Sequence, residues 1–374
     1  MNIVIISYDY SDERRAVFTF VAQLVEQWAK QGHNCWVIAP YSITLNKRFH
    51  AFKEVIRHEG QGDITILRPN YITTSRLKIG GRRISWILHD RAVQRALRQL
   101  PCKPDIIYGH FWEQAHEGFR YAKKHNIPLF VATGESNIAK MISKWNDKEE
   151  FCNYVSGVVC VSTKNRQESI KLGLTEESKC VVIPNAVNTE LFRKLDKATC
   201  RQELGIGEDA FVVAFVGWFI NRKGSKRVAQ AIQTCKDPVI QSVFLGAGPE
   251  EPDCTGIIFK GKVPHHDVPR YLNAADVFVL PTLNEGCCNA VVEAMACGLP
   301  VISSNRDFNW DILDRHNSIM VEPTDINAIC HAIQQMKENP VLRKQMSDAA
   351  LAYVQSLRIE NRAAKIIRLF ENYL

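Results

Sequence analysis

Short apolar runs alternate with longer amphipathic stretches along almost the whole chain. In the first half the runs are Ile3–Ser7, Asn34–Ala39, Asp105–Tyr108, Pro128–Ala132, Gly157–Ser162 and Cys180–Ile183. Helical spacing fills the intervals over Phe18–Gln31, Gln114–Lys124 and Lys164–Leu172. The first of these, through Leu24 and Trp28, stops at Gly32, a residue suited to the left-handed backbone that closes a helix. Runs this short and apolar, separated by helices, predict strands of a parallel sheet buried on both faces. The second half repeats the rhythm. Its strand-like runs are Phe211–Gly217, Ser242–Gly246, Gly256–Phe259, Val277–Leu280, Pro300–Ser303 and Ser318–Val321. Its helical stretches are Lys226–Thr234, Val268–Ala274, Asn289–Ala296 and Ile326–Lys337, and Val341 to Leu374 is helical with no strand pattern. Pro184-Asn185-Ala186-Val187-Asn188 breaks the alternation as a turn, so the boundary between the halves falls near 185–207. The predicted class is α/β, with two doubly wound parallel-sheet domains over 1–190 and 191–355 and a cleft between them.

Composition adds exclusions. The chain has 374 residues, 46% hydrophobic and 23% charged, with 20 Gly and 15 Pro; this is ordinary globular usage and excludes disorder, collagen and coiled coil. There are 12 cysteines and no C-x-x-C pair, and Cys35, Cys160, Cys180 and Cys297 sit in apolar runs. Buried free thiols in a reducing compartment are expected. Cys287 and Cys288 are adjacent, closer than metal ligands usually stand, so no metal is expected. The apolar start Met1–Ser7 is too short for a signal-peptide core, and no run reaches the roughly 18 apolar residues of a membrane span. The expected location is the cytoplasm.

Net charge is +7, and residues 47–103 alone hold 13 Lys/Arg against Glu54, Glu59, Asp63 and Asp90. Arg76, Lys78, Arg82 and Arg83 alternate with Leu77, Ile79, Ile84, Trp86 and Ile87. Basic residues mixed with apolar ones suit an anionic membrane surface, and a solvated surface is the plain alternative. Nucleic acid is not expected, because stacking platforms and a recognition-helix pattern are missing.

Sheets of this class bind ligands outside the carboxyl ends of their strands, where helix N-termini point at them. The richest such place is Pro281 to Pro300. A strand ends at Leu280, a loop carries Glu285 and Gly286, and a helix begins near Cys288–Asn289. Glycine lets backbone N–H groups approach an anion, and the helix N-terminus adds positive partial charge. A carboxylate such as Glu293, just inside that helix, can accept hydrogen bonds from two neighbouring hydroxyls. The alternative is a pair of ordinary acids near a helix start.

Glu285 and Glu293, eight positions apart and followed by Ala-Met-Ala-Cys-Gly-Leu-Pro, resemble the E-x7-E element of the retaining GT-B glycosyltransferases, glycosyltransferase family 4. Other matches follow in family order: Gly32-His33, Gly109-His110-Phe111, Val158–Ser162, Val182–Asn188, Gly217 with Lys223-Gly224, Leu245–Pro249 and Phe259–Gly261. The resemblance implies two Rossmann-like domains facing across a cleft, with a last segment of about 356–374 returning to the N-terminal domain. It implies transfer of a sugar from a nucleotide diphosphate sugar, UDP favoured over GDP, to a carbohydrate or lipid-linked acceptor in cell-surface polysaccharide synthesis. Neither a separate cofactor nor a metal is implied. The donor side would be Gly217, Lys223, Glu285, Gly286, Cys287, Cys288, Asn289 and Glu293, with Glu293 on the ribose, Glu285 on the transferred sugar and Lys223 on the leaving diphosphate. Lys223, Glu285 and Arg222 are the candidate catalytic residues.

The sequence also departs from the family. Gly217 is followed by Trp218 where relatives often carry Arg, and Arg222 is the candidate to supply that charge. The first loop, Tyr8 to Ala16, lacks the usual glycine pair but holds Arg14 and Arg15. Gly134 stands where many relatives have His, beside Glu135. With His110, these make Arg14, Arg15 and Glu135 the acceptor-side candidates. A catalytically inactive relative that binds or scaffolds is the alternative reading.

Overall fold

The apolar runs of the sequence form the strands. The computed structural model describes residues 1–11, 17–47, 49–57, 60–74, 77–79, 82–139 and 145–374. The chain divides into two units, Met1–Ile183 with Glu360–Leu374, and Pro184–Ile359.

The sheet of the first unit contains β1 (Asn2–Ser7), β2 (Asn34–Ile38), β3 (Lys53–Ile56), β4 (Ile64–Leu67), β5 (Ile106–His110), β6 (Leu129–Thr133), β7 (Gly157–Cys160) and β8 (Cys180–Val182). Their order is β8-β7-β6-β5-β1-β2-β4-β3. Only β3 pairs antiparallel, on the edge against β4. Ile3 to Ile6 of β1 are fully buried, as a parallel strand covered on both faces requires. The helices used below are α1 (Thr19–Lys30), α2 (Ile84–Leu97) and α3 (Trp112–His125). Trp112 and Phe119 of α3 join Ile107, Val131 and Phe151 in one buried core.

The last helix, Ile359–Glu371, is held by the same unit. Phe370 stands 4.7 Å from the Phe130 ring and 5.5 Å from Tyr108, and the Trp28 indole donates to Ala363 O at 3.2 Å. Burying an aromatic side chain of this kind contributes roughly 1.5–3 kcal/mol, so a few such contacts fix a segment that is distant in sequence.

The basic stretch 47–103 is less of a surface than its composition implies, because it contains β3, β4 and α2. Arg68 is 1% exposed and donates to the carbonyls of Tyr10 and Ser11 at 3.0 Å each. It is a structural cation rather than a surface charge. Arg14, Arg15, Arg48 and Arg76 lie outside the described residues.

The second unit has a six-stranded sheet, β9 (Phe211–Val216), β10 (Ile240–Leu245), β11 (Ile257–Gly261), β12 (Val277–Leu280), β13 (Val301–Ser304) and β14 (Ser318–Val321). The order is β11-β10-β9-β12-β13-β14, and every pairing is parallel. In chain order this is 3-2-1-4-5-6, a doubly wound sheet whose direction of winding reverses between β9 and β12. At such a reversal the connections from the two neighbouring strands continue on opposite faces of the sheet, and ligands of this fold bind outside the strand ends there. Arg201 locks the other end. It pairs with Asp276 at 2.8 Å and donates to Ala274 O and Ala210 O, while Asp276 accepts the Val212 N–H at 2.7 Å. This buried pair is well satisfied, which is the condition under which a buried charge is tolerated.

Candidate functional site

The reversal point of the second sheet is built by two loops sewn together. After β9 the chain passes Gly217 at φ +155°, and its N–H donates to Leu245 O at 2.9 Å. A Cβ on Gly246 would stand 1.9 Å from Gly217 O, so this crossing admits only glycine. The loop then exposes Trp218 (62%) and closes with the N–H groups of Lys223 and Gly224 on Ile220 O. Gly224, at φ +86°, starts α4 (Ser225–Cys235). From the β12 side, Leu283 N–H donates to Arg222 O at 2.8 Å and the Thr282 hydroxyl donates to the same carbonyl at 3.1 Å.

That stitching turns Arg222 and Lys223 the same way. Lys223 Nζ lies 2.8 Å from Glu285 Oε1, and Arg222 Nη1 bonds the same oxygen. Arg222 Nη1 also donates to Asn284 O at 2.7 Å, and the Thr282 hydroxyl shares its one proton between Arg222 O and Glu285 Oε1, 3.2 Å away. The Lys223 and Glu285 side chains are mostly buried. Burial alone would depress the Lys223 ammonium, but Cys288 Sγ, 3.8 Å away, and Glu285 outweigh it, so its pKa moves up. Burial pushes the Cys288 thiol up as well. The Lys223 ammonium is therefore held between the Glu285 carboxylate and the Cys288 sulfur.

Two cations on one carboxylate leave one formal positive charge in surplus. It stands at the mouth of α5 (Asn289–Ala296), whose N-cap residue is Cys288 and which has no side-chain capping bond. The aligned peptides add about half an elementary charge of the same sign there. Asn185 fixes the approach to this helix, donating to Cys287 O at 3.1 Å and to Asn289 Oδ1 at 2.7 Å. Gly286 lies buried between Glu285 and Cys287. Within α5, Glu293 Oε1 is 3.1 Å from His265 Nε2. His265 opens a short turn, His265–Asp267, after β11, and its ring leans on Phe192 at 5.2 Å. The structure thus brings Arg222, Lys223, Glu285 and Cys288 into contact and pairs Glu293 with His265. Sequence reasoning had not found His265, nor Thr282.

In the first unit, His110 ends β5 and is 3% exposed. The rings of Phe20, Tyr108 and Phe111 surround it at 5.4–5.7 Å. Burial, then Arg362, pushes its pKa down to about 3, so it is a neutral imidazole in an aromatic cage. Glu135 uses both oxygens within its own unit. Oε1 accepts the Trp112 N–H at 2.9 Å, and Oε2 accepts from the Thr133 hydroxyl and the Gly134 N–H. Burial raises its pKa against the pull of those bonds. It pins the start of α3 to the end of β6. Among the described residues no group of three or more His, Cys, Asp or Glu is placed to hold a metal ion.

Residues 196–352 match the family model described as glycosyl transferases group 1, and residues 17–191 match that described as glycosyltransferase family 4. The chain is 27% identical over 351 residues to a protein of Bacillus subtilis named as a teichuronic acid biosynthesis glycosyltransferase, covering 89% of this chain and 88% of that one. It is also 27% identical over 293 residues to the UDP-Gal:α-D-GlcNAc-diphosphoundecaprenol α-1,3-galactosyltransferase of Escherichia coli, covering 72% and 75% of the two chains. Among solved structures, sucrose-phosphate synthase from Thermosynechococcus elongatus superposes with a TM-score of 0.78 at 20% identity, covering 100% of this chain and 98% of that one. The Anabaena protein HepE, solved with UDP, gives 0.74 at 17% identity, covering 100% of both chains.

Proposed function

Since the chain belongs to the GT-B glycosyltransferases of family 4, we propose that it transfers a sugar, with retention, from a nucleoside diphosphate sugar to a lipid-linked or carbohydrate acceptor in cell-surface polysaccharide synthesis. The observation that carries this reading is the surplus positive charge of Arg222 and Lys223 over Glu285 at the opening of α5. Breaking the bond between the sugar C1 and the diphosphate leaves negative charge on the phosphates, and preorganised cations and amides aimed there lower the barrier. Lys223 and Arg222 would meet that charge, with Arg222 standing in for the arginine that Trp218 replaces. The amides around Gly286–Asn289 would cradle the diphosphate, and Glu293 would accept the ribose hydroxyls. Glu285 would orient both cations and reach the transferred sugar. UDP is favoured over GDP because the relative from Escherichia coli is named for a UDP-sugar and HepE was solved with UDP.

A thermal-shift panel tests the donor side. A ligand at 100 times its Kd stabilises the native state by about 2.7 kcal/mol, several degrees in Tm for units of this size. UDP is expected to give that shift and GDP a smaller one. No shift with any nucleoside diphosphate contradicts the reading.

We also assign the basic part of the first unit to an anionic membrane surface. Leu45, Phe49, Ile72 and Leu77 are 50–75% exposed, and Lys47, Lys53, Arg57, Arg83 and Arg91 are exposed with them. No helix among the described residues is long and apolar enough to cross a membrane, so this would be contact at the headgroups. Each Lys or Arg near an anionic surface contributes about 1 kcal/mol. Co-sedimentation with vesicles is expected to rise with their phosphatidylglycerol fraction and to fall with salt. Binding that ignores anionic lipid overturns the assignment.

A further inference from the structure

At the end of the second sheet away from Glu285 lies a cavity of about 270 Å³. Asp276, directly before β12, and Pro300, directly before β13, place it at the amino ends of the strands. Its wall carries four cations, Lys194, Lys197, Arg343 and Lys344, and one acid, Asp276. Both oxygens of that acid are occupied. Lys197 Nζ holds Oδ1 at 2.5 Å, and Oδ2 accepts from Arg201 at 2.8 Å and from the Val212 N–H at 2.7 Å. Lys344 pairs with Asp348 at 2.5 Å, but both side chains are exposed, and such pairs contribute little. Lys194 is exposed and sits in the field of Asp348 without pairing with it. Arg343 has no carboxylate partner among the described residues. Its Nη1 donates to the Met336 and Lys337 carbonyls at 2.5 and 3.2 Å, and the guanidinium lies 5.5 Å from the centre of the Phe211 ring.

The local fold adds to this charge rather than offsetting it. Pro340, Arg343, Lys344 and Ser347 stand at i, i+3, i+4 and i+7 of the helix Pro340–Val354, so one face of its first two turns meets the cavity. Acids are favoured in a first turn, where the peptide dipoles are positive; this one has none, and two cations follow it. Lys197 likewise opens the helix Lys197–Leu204. Burial depresses the Lys197 ammonium, and Arg201 and Arg343 push it down further against the pull of Asp276. Like charges gathered at two helix starts repel one another unless an anion balances them. The end of α5, which reaches the wall at Gly298, does not supply that balance. The N–H groups of Gly298 and Leu299 return to the Met295 and Ala294 carbonyls.

We propose that this cavity binds the phosphoryl group of a small soluble phosphate, with Arg343, Lys197 and Lys194 as its partners. A tetrahedral dianion can accept from a guanidinium and from ammonium groups at once, and charge-assisted bonds of that kind are the strong ones. The volume suits a phosphate or a small phosphate monoester and falls below the usual range for larger ligands. None of the groups assigned to the sugar donor takes part, so the site stands apart from that reading.

Calorimetric titration of the full chain at fixed ionic strength tests it. The probes are inorganic phosphate and glycerol 3-phosphate, with chloride as the control, each with and without saturating UDP. At least one phosphate is expected to saturate with a Kd of about 1 mM or below, and equally well when UDP is present. The tighter of the two probes tells a free phosphate from an esterified one. Arg343→Gln should weaken that probe about tenfold or more and Lys194→Gln about threefold, while the heat of UDP binding stays. Lys194 is an exposed side chain, so its variant serves if Arg343→Gln does not fold. No saturation by either phosphate, saturation abolished by UDP, or unchanged affinity in both variants overturns the proposal. UDP binding without phosphate binding overturns only this inference. Phosphate binding that the variants weaken, in a protein that does not bind UDP, supports it and contradicts the donor reading instead.

Discussion

Lys223→Ala is expected to lower kcat by about 100- to 1,000-fold, the usual loss when one preorganised donor to a developing anion is removed. Its ammonium is mostly buried, is held by Glu285 at 2.8 Å and keeps its proton. On the proposed reading that charge exists to meet the leaving diphosphate, which is more negative in the transition state than in the bound donor. The loss should therefore fall on kcat more than on KM. Lys223→Arg should not rescue, because a planar fork cannot occupy the space of a point charge wedged between Glu285 and Cys288. Glu285→Gln should cost a similar factor, since Arg222 and Lys223 share its Oε1. Because the three act as a unit, the double variant should be little worse than either single one. Initial rates at saturating donor check this. Near-normal rates in Lys223→Ala would remove the lysine from the chemistry.

The second large effect concerns nucleotide affinity. Glu293→Ala is expected to weaken UDP by about 10- to 100-fold. Hydrogen bonds to a charged group contribute about 1.5–3 kcal/mol, and each 1.4 kcal/mol is tenfold in Kd. His265 qualifies the argument. In the structure one oxygen of the Glu293 carboxylate, Oε1, is engaged by the His265 imidazole at 3.1 Å, so a ribose hydroxyl would take Oε2, share Oε1 or displace the ring. His265→Gln, which keeps a donor near Glu293, should therefore change UDP affinity far less than Glu293→Ala does.

Much of this was legible in the sequence, for reasons particular to each part. The second sheet could be read strand by strand because its strands are short and mostly apolar, and four of the six are followed by an α-helix; β10 and β13 run on to the next strand without one. Glu285 and Glu293 were singled out by their resemblance to the E-x7-E element of the family, because their spacing alone fits two ordinary acids near a helix start as well. What the sequence could not supply was direction. Whether Arg222 and Lys223 face one way depends on Leu283 and Thr282 bonding back to Arg222 O across some 60 residues. His265 was missed because it sits in a three-residue turn without periodicity and meets Glu293 only through the fold. Arg68 looked like surface charge because composition cannot see the Tyr10 and Ser11 carbonyls that bury it. Strand β3 went unread because three of its four positions are exposed and carry no apolar run. Helix α2 hid for a related reason: its buried stripe is Ser85, His89, Ala92, Val93, Ala96 and Leu97, helical in spacing but mostly small or polar.

The central claim is that a nucleoside diphosphate is bound at the mouth of α5, its ribose on Glu293. The most direct measurement is calorimetric titration of UDP into wild type, Glu293→Ala and His265→Gln in one buffer. Saturable binding in the wild type, at least a tenfold loss in Glu293→Ala and a much smaller change in His265→Gln are the predicted results. UDP affinity that is the same with and without the Glu293 carboxylate would contradict the account.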